Sequence, residues 1–137
     1  MRILAVDPGE KHLGVALSDP SGMIATPLTI LQHISRPLDA AAIADLAQQY
    51  QVDMIIIGQS LDEDGLPTPQ SRRADRLAEA IHEQSNLPIT MWDESFSTKE
   101  ARNARIEMGT SRKRRRGHMD DLAATVILQS YLDSTRN

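Results

Sequence analysis

The chain contains no cysteine, which excludes disulfides, a thiolate metal cluster and a cysteine nucleophile. A reducing compartment suits such a chain, and the cytoplasm is the expected location. Aromatic residues make up 3% (one Trp, two Tyr, one Phe), so no aromatic cluster offers an anchor for a large protein interface. The oligomeric state is left open between monomer and homodimer. No apolar run approaches the ~20 residues of a membrane span, and no membrane partner is expected. A signal peptide is equally absent from the pattern: Asp7 puts a carboxylate into the region that would have to be apolar, and no small-residue cleavage site follows. The chain has 137 residues, 40% of them hydrophobic. That excludes wholesale disorder and fits one domain over residues 1–137.

What is present is an uneven charge distribution. There are 15 Lys and Arg against 19 Asp and Glu, a net charge of -4. Yet Arg112, Lys113, Arg114, Arg115 and Arg116 are consecutive, and the remainder is correspondingly more acidic. An acidic body with one dense basic segment points to a polyanionic partner gripped at one place. The segment from Gly109 to Gly117 has no apolar periodicity. It reads as a basic loop, poorly ordered until it meets phosphate.

Ile3-Leu4-Ala5-Val6 is a short apolar run stopped by Asp7-Pro8-Gly9, a strand followed by a turn. Leu13 to Leu17 and Ile24 to about Gln32 complete a three-stranded antiparallel meander. Pro27 lies in the third strand, and a residue without an N–H belongs at a sheet edge. Ser35 offers an N-cap to a helix whose Ile43, Leu46, Ala47 and Tyr50 share one face. Met54-Ile55-Ile56-Ile57-Gly58 is apolar throughout, as in a strand covered on both sides. Ala74, Leu77, Ala78 and Ile81 repeat the helical spacing, and Pro88 to Trp92 is a further strand. Ser97-Thr98-Lys99-Glu100 fits a capping box for a helix running through Ala101, Ala104 and Met108 to Gly109. A last, well-buried helix runs from Met119 to about Leu132. The expected fold is α/β, a mixed five-stranded sheet with parallel right-handed crossovers and helices on both faces.

Three acidic positions sit at element ends. Asp7 closes the first strand, Asp93-Glu94 closes the last, and Asp120-Asp121 is expected in the first turn of the final helix. Turn and helix capping explain each one separately. Neighbouring residues diverge on strands and helices alike, so one member at most of each pair enters a common site. Taken together, the three converge where parallel α/β sheets place their ligand crevice. Oxygen-only ligands suit Mg²⁺ or Mn²⁺, and two such ions about 4 Å apart serve phosphodiester hydrolysis. The four histidines show no ligand spacing and read as surface or structural residues; His118, two residues before Asp120, is the one placed to approach the site, though a surface role is favoured for it too.

The chain resembles the YqgF family, bacterial pre-16S rRNA nucleases related to Holliday junction resolvases. The resemblance runs from about Arg2 to Asp133. It rests on Val6-Asp7-Pro8-Gly9-Glu10-Lys11 with Gly14-Val15-Ala16, on Ile57-Gly58, on Trp92-Asp93-Glu94 with Ser97-Thr98 and Ala101, and on the basic run leading to Met119-Asp120-Asp121-Leu122-Ala123-Ala124. It implies a ribonuclease H-like fold, with Asp7, Glu94 and Asp120 as catalytic and metal-holding residues. It also implies that Lys11, Arg112, Lys113, Arg114, Arg115 and Arg116 bind nucleic acid, either structured RNA or branched DNA. The implied activity is metal-dependent processing of the 5′ end of pre-16S rRNA. The chain departs from the family pattern at His12, Ser60 and Ser95, and the last of these removes a cation near the acidic site. Three competitors remain on the sequence alone. One is a branched-DNA resolvase. Another is a nucleotide-binding protein of the actin and sugar-kinase type, which Asp7-Pro8-Gly9 suggests and the short chain disfavours. The third is a non-catalytic nucleic-acid-binding factor.

Overall fold

The computed structural model describes residues 1–94 and 112–135, with the backbone alone over 112–121. The strands are β1 (Ile3–Pro8), β2 (His12–Ser18), β3 (Ala25–Gln32), β4 (Met54–Gln59) and β5 (Ile89–Asp93). The described helices are α1 (Arg36–Gln49), α2 (Pro69–His82) and α3 (Arg112–Ser134). One five-stranded sheet has the order β3-β2-β1-β4-β5. β1–β2 and β2–β3 pair antiparallel, while β1–β4 and β4–β5 pair parallel. The expected mixed sheet is therefore present, with β3 at an edge. The ladder slips beside Pro27: Val15 pairs with Thr29 and Ala16 with Pro27, which leaves Leu28 as the extra residue. An edge bulge is where a strand tolerates a missing donor.

Side-chain alternation divides the core into two layers. Leu4, Val6, Ile55 and Ile57 pack with Ala40, Ile43 and Ala47 of α1 and with Ala74, Leu77 and Ile81 of α2. Ile3, Ala5, Met54 and Ile56 pack with Ala124, Ile127, Leu128 and Leu132 of α3. Helices cover both faces, and β4 is buried without a polar side chain from Met54 to Gly58 because each of its faces meets a helix. Among the described residues no helix is long and apolar enough to cross a membrane.

Local chemistry fixes the element ends. The Ser35 hydroxyl accepts from Leu38 N–H at 3.3 Å and caps α1. Thr68 and Ser71 form a reciprocal capping box at α2, and the Thr68 hydroxyl also donates to the Ser60 carbonyl. In the β2–β3 turn the Asp19 carboxylate accepts from the Ser21 hydroxyl and from the N–H groups of Met23 and Ile24. These bonds, the Ser21 hydroxyl foremost, hold its pKa well below the usual carboxylate range. The turn therefore has this support in full above the ordinary carboxylate pKa, and loses it as pH falls on through the lowered one of Asp19.

The final helix corrects the sequence reading. Arg112 to Arg116 and Gly117 are not a loop but the opening of α3. Arg and Lys are good helix formers, and extending a helix already nucleated by a buried half needs no apolar periodicity of its own. Asp120 and Asp121 consequently lie well inside the helix, not in its first turn, so capping does not explain them. The expected capping box at Ser97–Glu100 and the helix through Met108 fall outside the described residues.

Candidate active site

β1, β4 and β5 run parallel, so their carboxyl ends share one edge of the sheet. Ile3 and Ala5 face α3, and alternation puts Asp7 on that same side, half-buried at the end of β1. On β5, Met91 packs toward α1 and α2 while Trp92 packs toward α3. Asp93, the next residue, falls on the α1/α2 side, and Glu94 follows just beyond the strand. The Glu94 carboxylate comes back over β4: its Oε1 lies 3.5 Å from the point a Cβ at Gly58 would occupy. The parity of the strand thus favours Glu94 over Asp93 on the face that carries Asp7.

Gly58 sits between them. Gly58 pairs with Trp92, and β1 pairs with β4 as far as Val6 with Ile57, one residue before Asp7 and Gly58. Strands lie about 4.8 Å apart, so the ends of β1 and β5 are separated by about 10 Å across β4. A glycine in the middle strand lets both the Glu94 carboxylate and Ile127 of α3 close on β4, since a Cβ there would lie 3.5 Å from Glu94 Oε1 and 2.6 Å from Ile127 Cδ1. In the sequence Gly58 is only the end of an isoleucine strand; its role as a spacer needs the strand order. Gly58 is also held from the other face, where Gln70 Nε2 donates to its carbonyl at 3.0 Å. Gly9 shapes the hairpin that follows Asp7: a Cβ there would lie 2.5 Å from the His12 carbonyl oxygen, which instead accepts the Gly9 N–H at 2.9 Å.

α3 runs antiparallel to β4. Its Tyr131 hydroxyl meets Met54 Sδ at the start of the strand, 3.8 Å away, and its Ile127 Cδ1 lies 2.6 Å from the Gly58 Cβ position near the end. The N-terminal half of α3 therefore heads past the edge that bears Asp7 and Glu94. Position 120 precedes Ala124 by four residues and Ile127 by seven, the spacing of one helical stripe. Its side chain, like those of Arg112 to Arg116, lies outside the described residues, as does Ser95. Among the described residues no three His, Asp or Glu side chains gather as a metal site. Lys11 is exposed in the β1–β2 turn. A cleft of about 490 Å³ lined by Ala41, Ala44, Asp45, Gln48, Ser85 and Leu87 sits at the opposite end of the sheet, and Asp45 is the one carboxylate in its lining.

The fold matches those of junction resolvases. Thermus thermophilus RuvC, solved in complex with a Holliday junction substrate, superposes with a TM-score of 0.65 at 13% identity, covering 99% of this chain and 97% of that one. The fowlpox virus resolvase in complex with Holliday junction DNA gives 0.59 at 17% identity, with both chains fully covered. In sequence, a protein of Thermoanaerobacter pseudethanolicus named "Putative pre-16S rRNA nuclease" is 41% identical over 100% of this chain and 99% of its own length. One of the same name from Syntrophomonas wolfei is 39% identical over 97% of this chain and 94% of its own. The family model described as "RuvX: Holliday junction resolvase" matches residues 1–134, and the chain belongs to that family.

Proposed function

We propose that the protein is a metal-dependent endonuclease of the cytoplasm that processes the 5′ end of pre-16S rRNA, acting as one nuclease domain. The observation that carries this reading is the Glu94 carboxylate lying over Gly58, one strand away from Asp7 on the same face. Two carboxylates at one edge of the sheet fit a hard divalent cation by donor type, and no side chain grows from Gly58 between them. Asp7, Glu94 and Asp120 would hold Mg²⁺ or Mn²⁺. Bound there, the cations would supply water activation and stabilisation of the leaving oxygen. The chain's own part is geometric. β1 and β5 fix the two carboxylates at the sheet edge, Gly58 adds no side chain between them, and α3 brings position 120 toward them. Without cations the carboxylates repel the phosphodiester, so Lys11 and the basic opening of α3 are assigned its grip.

Two measurements test this. Precursor rRNA and a four-way DNA junction are incubated with the protein, with and without Mn²⁺. Mn²⁺-dependent cutting of the RNA precursor is the expected result. Cutting of the junction alone would move the substrate to branched DNA, and no cutting of either would refute the nuclease reading. Replacing Arg114, Arg115 and Arg116 together by Gln is expected to weaken RNA binding similarly for all sequences and to lower the salt slope by roughly one unit for each phosphate no longer neutralised. Unchanged affinity at low salt, with the protein folded, would remove the basic run from the interface.

A further inference from the structure

His33 and Asp39 form a dyad that the acidic site does not use. His33 Nδ1 lies 2.5 Å from Asp39 Oδ2. The Asp39 side chain is 2% exposed and that of His33 is 32% exposed. The other Asp39 oxygen accepts the Ile34 N–H at 3.0 Å. A carboxylate only accepts, so Nδ1 carries the proton and the ring is locked by a buried partner. Nε2 is then the ring's remaining polar atom, on a side chain that is one-third open to solvent.

The location gives that atom a use. The His33 N–H donates to the Lys11 carbonyl at 2.9 Å, which ties the β3–α1 corner to the hairpin leaving Asp7. His12 pairs with Gln32 at the same end of the sheet, and Arg36 opens α1 three residues after His33. Lys11, His12, His33 and Arg36 thus stand together on the rim, with Glu10 the acidic neighbour in the hairpin and Asp39 engaged by the ring. β3 is two strands from β1, about 10 Å, a short step along a nucleic-acid backbone.

We propose that His33, as an imidazolium whose Nδ1–H is held by Asp39 and whose second proton is taken up from solvent, donates Nε2–H to a backbone phosphate of the bound nucleic acid, a short distance from the bond cut at Asp7 and Glu94, with Lys11 beside it. The proposal rests on the nuclease reading and extends the interface along the sheet edge to the end of β3. Asp39 is a positioning residue here. The opposing view is that His33 only satisfies a buried carboxylate.

His33→Asn separates the two views, because asparagine keeps a donor near the place of Nδ1 and has nothing at the place of Nε2. Binding of a 5′-fluorescein RNA is measured at low salt with Ca²⁺ in place of the catalytic ion. The RNA is then remade with one neutral methylphosphonate at a time. The expected result is an unchanged melting temperature, binding weaker by about threefold to tenfold, and one phosphate whose neutralisation costs the wild type affinity but costs the variant nothing further. Binding within twofold of wild type, or an identical methylphosphonate profile in both proteins, overturns the proposal. In the wild-type protein, RNA is also expected to slow carbethoxylation of His33 by diethyl pyrocarbonate, mapped by mass spectrometry. Unchanged reactivity in the complex overturns the proposal even if the variant proves unstable. A wild-type protein that binds the RNA but never cuts it would instead count against the nuclease reading and leave the phosphate bond to His33 standing.

Discussion

Replacing Asp7 by Asn is expected to abolish metal-dependent cleavage, lowering the rate at least about a thousandfold, or some 4 kcal/mol of transition-state stabilisation. The fold is expected to survive. Asp7 is half-buried at the strand end, the amide is isosteric, and the core beneath it is made by Leu4, Ala5 and Val6. Asparagine keeps one neutral acceptor oxygen but loses the charge that holds a hard cation against phosphate. The informative control is Asp93→Asn. Asp93 lies one residue from Glu94 yet falls on the α1/α2 side by strand alternation, so the expected loss there is a few-fold at most. Cleavage rates with Mn²⁺ and thermal melts on both variants check this. Full activity in Asp7→Asn, or equal losses in the two, would end the assignment of the site.

Gly58→Val is expected to damage both stability and activity. A Cβ there falls 2.6 Å from Ile127 Cδ1 and 3.5 Å from Glu94 Oε1. Ile127 is fully buried, so its side chain has no free space to yield and the strain passes into α3. Overpacking of this kind costs about 1–3 kcal/mol. The valine side chain also presses on the Glu94 carboxylate, whose Oε1 lies 3.5 Å from its Cβ position, so cleavage is expected to fall about a hundredfold at temperatures where the variant stays folded. Trimming the neighbour separates the effects. Gly58→Val with Ile127→Ala is expected to regain part of the lost melting temperature and none of the lost rate, a coupling that a double-mutant cycle measures. If activity recovered in step with stability, Gly58 would be a packing residue and not a spacer.

The sheet is largely legible in the chain itself, for identifiable reasons. Proline places β3 at the edge because the missing N–H is a local property. Buried isoleucines mark β4 because a strand covered on both faces has no polar side. The strand ends are less legible. β1 runs on to Pro8 and β5 to Asp93, because ladder pairing continues past the apolar run, Pro8 with Leu13 and Asp93 with Gln59. The start of α3 is hidden for a related reason: five cations carry no periodicity, and a long helix needs none once its other half is packed. Within the site, the choice of Glu94 over Asp93 rests in the sequence on family resemblance alone, since parity along a strand means nothing until one residue is anchored to a face. Trp92 against α3 is that anchor. The spacer role of Gly58 depends on β4 lying between β1 and β5, and no local pattern encodes strand order.

The same Trp92 has an optical consequence. It is the one tryptophan of the chain, two residues before Glu94. Its indole meets Tyr131 of α3 edge-on, with ring centroids 5.2 Å apart and planes at 87°, and its Nε1–H donates to the Ser130 hydroxyl at 3.3 Å. Indole emission from this protein therefore comes from a single address, the seam between β5 and α3 directly behind the carboxylates. Any displacement of that helix against that strand changes the dipoles around the indole. The chain carries its own fluorophore at the joint between the sheet edge and the helix that serves it, without a label and without a substitution.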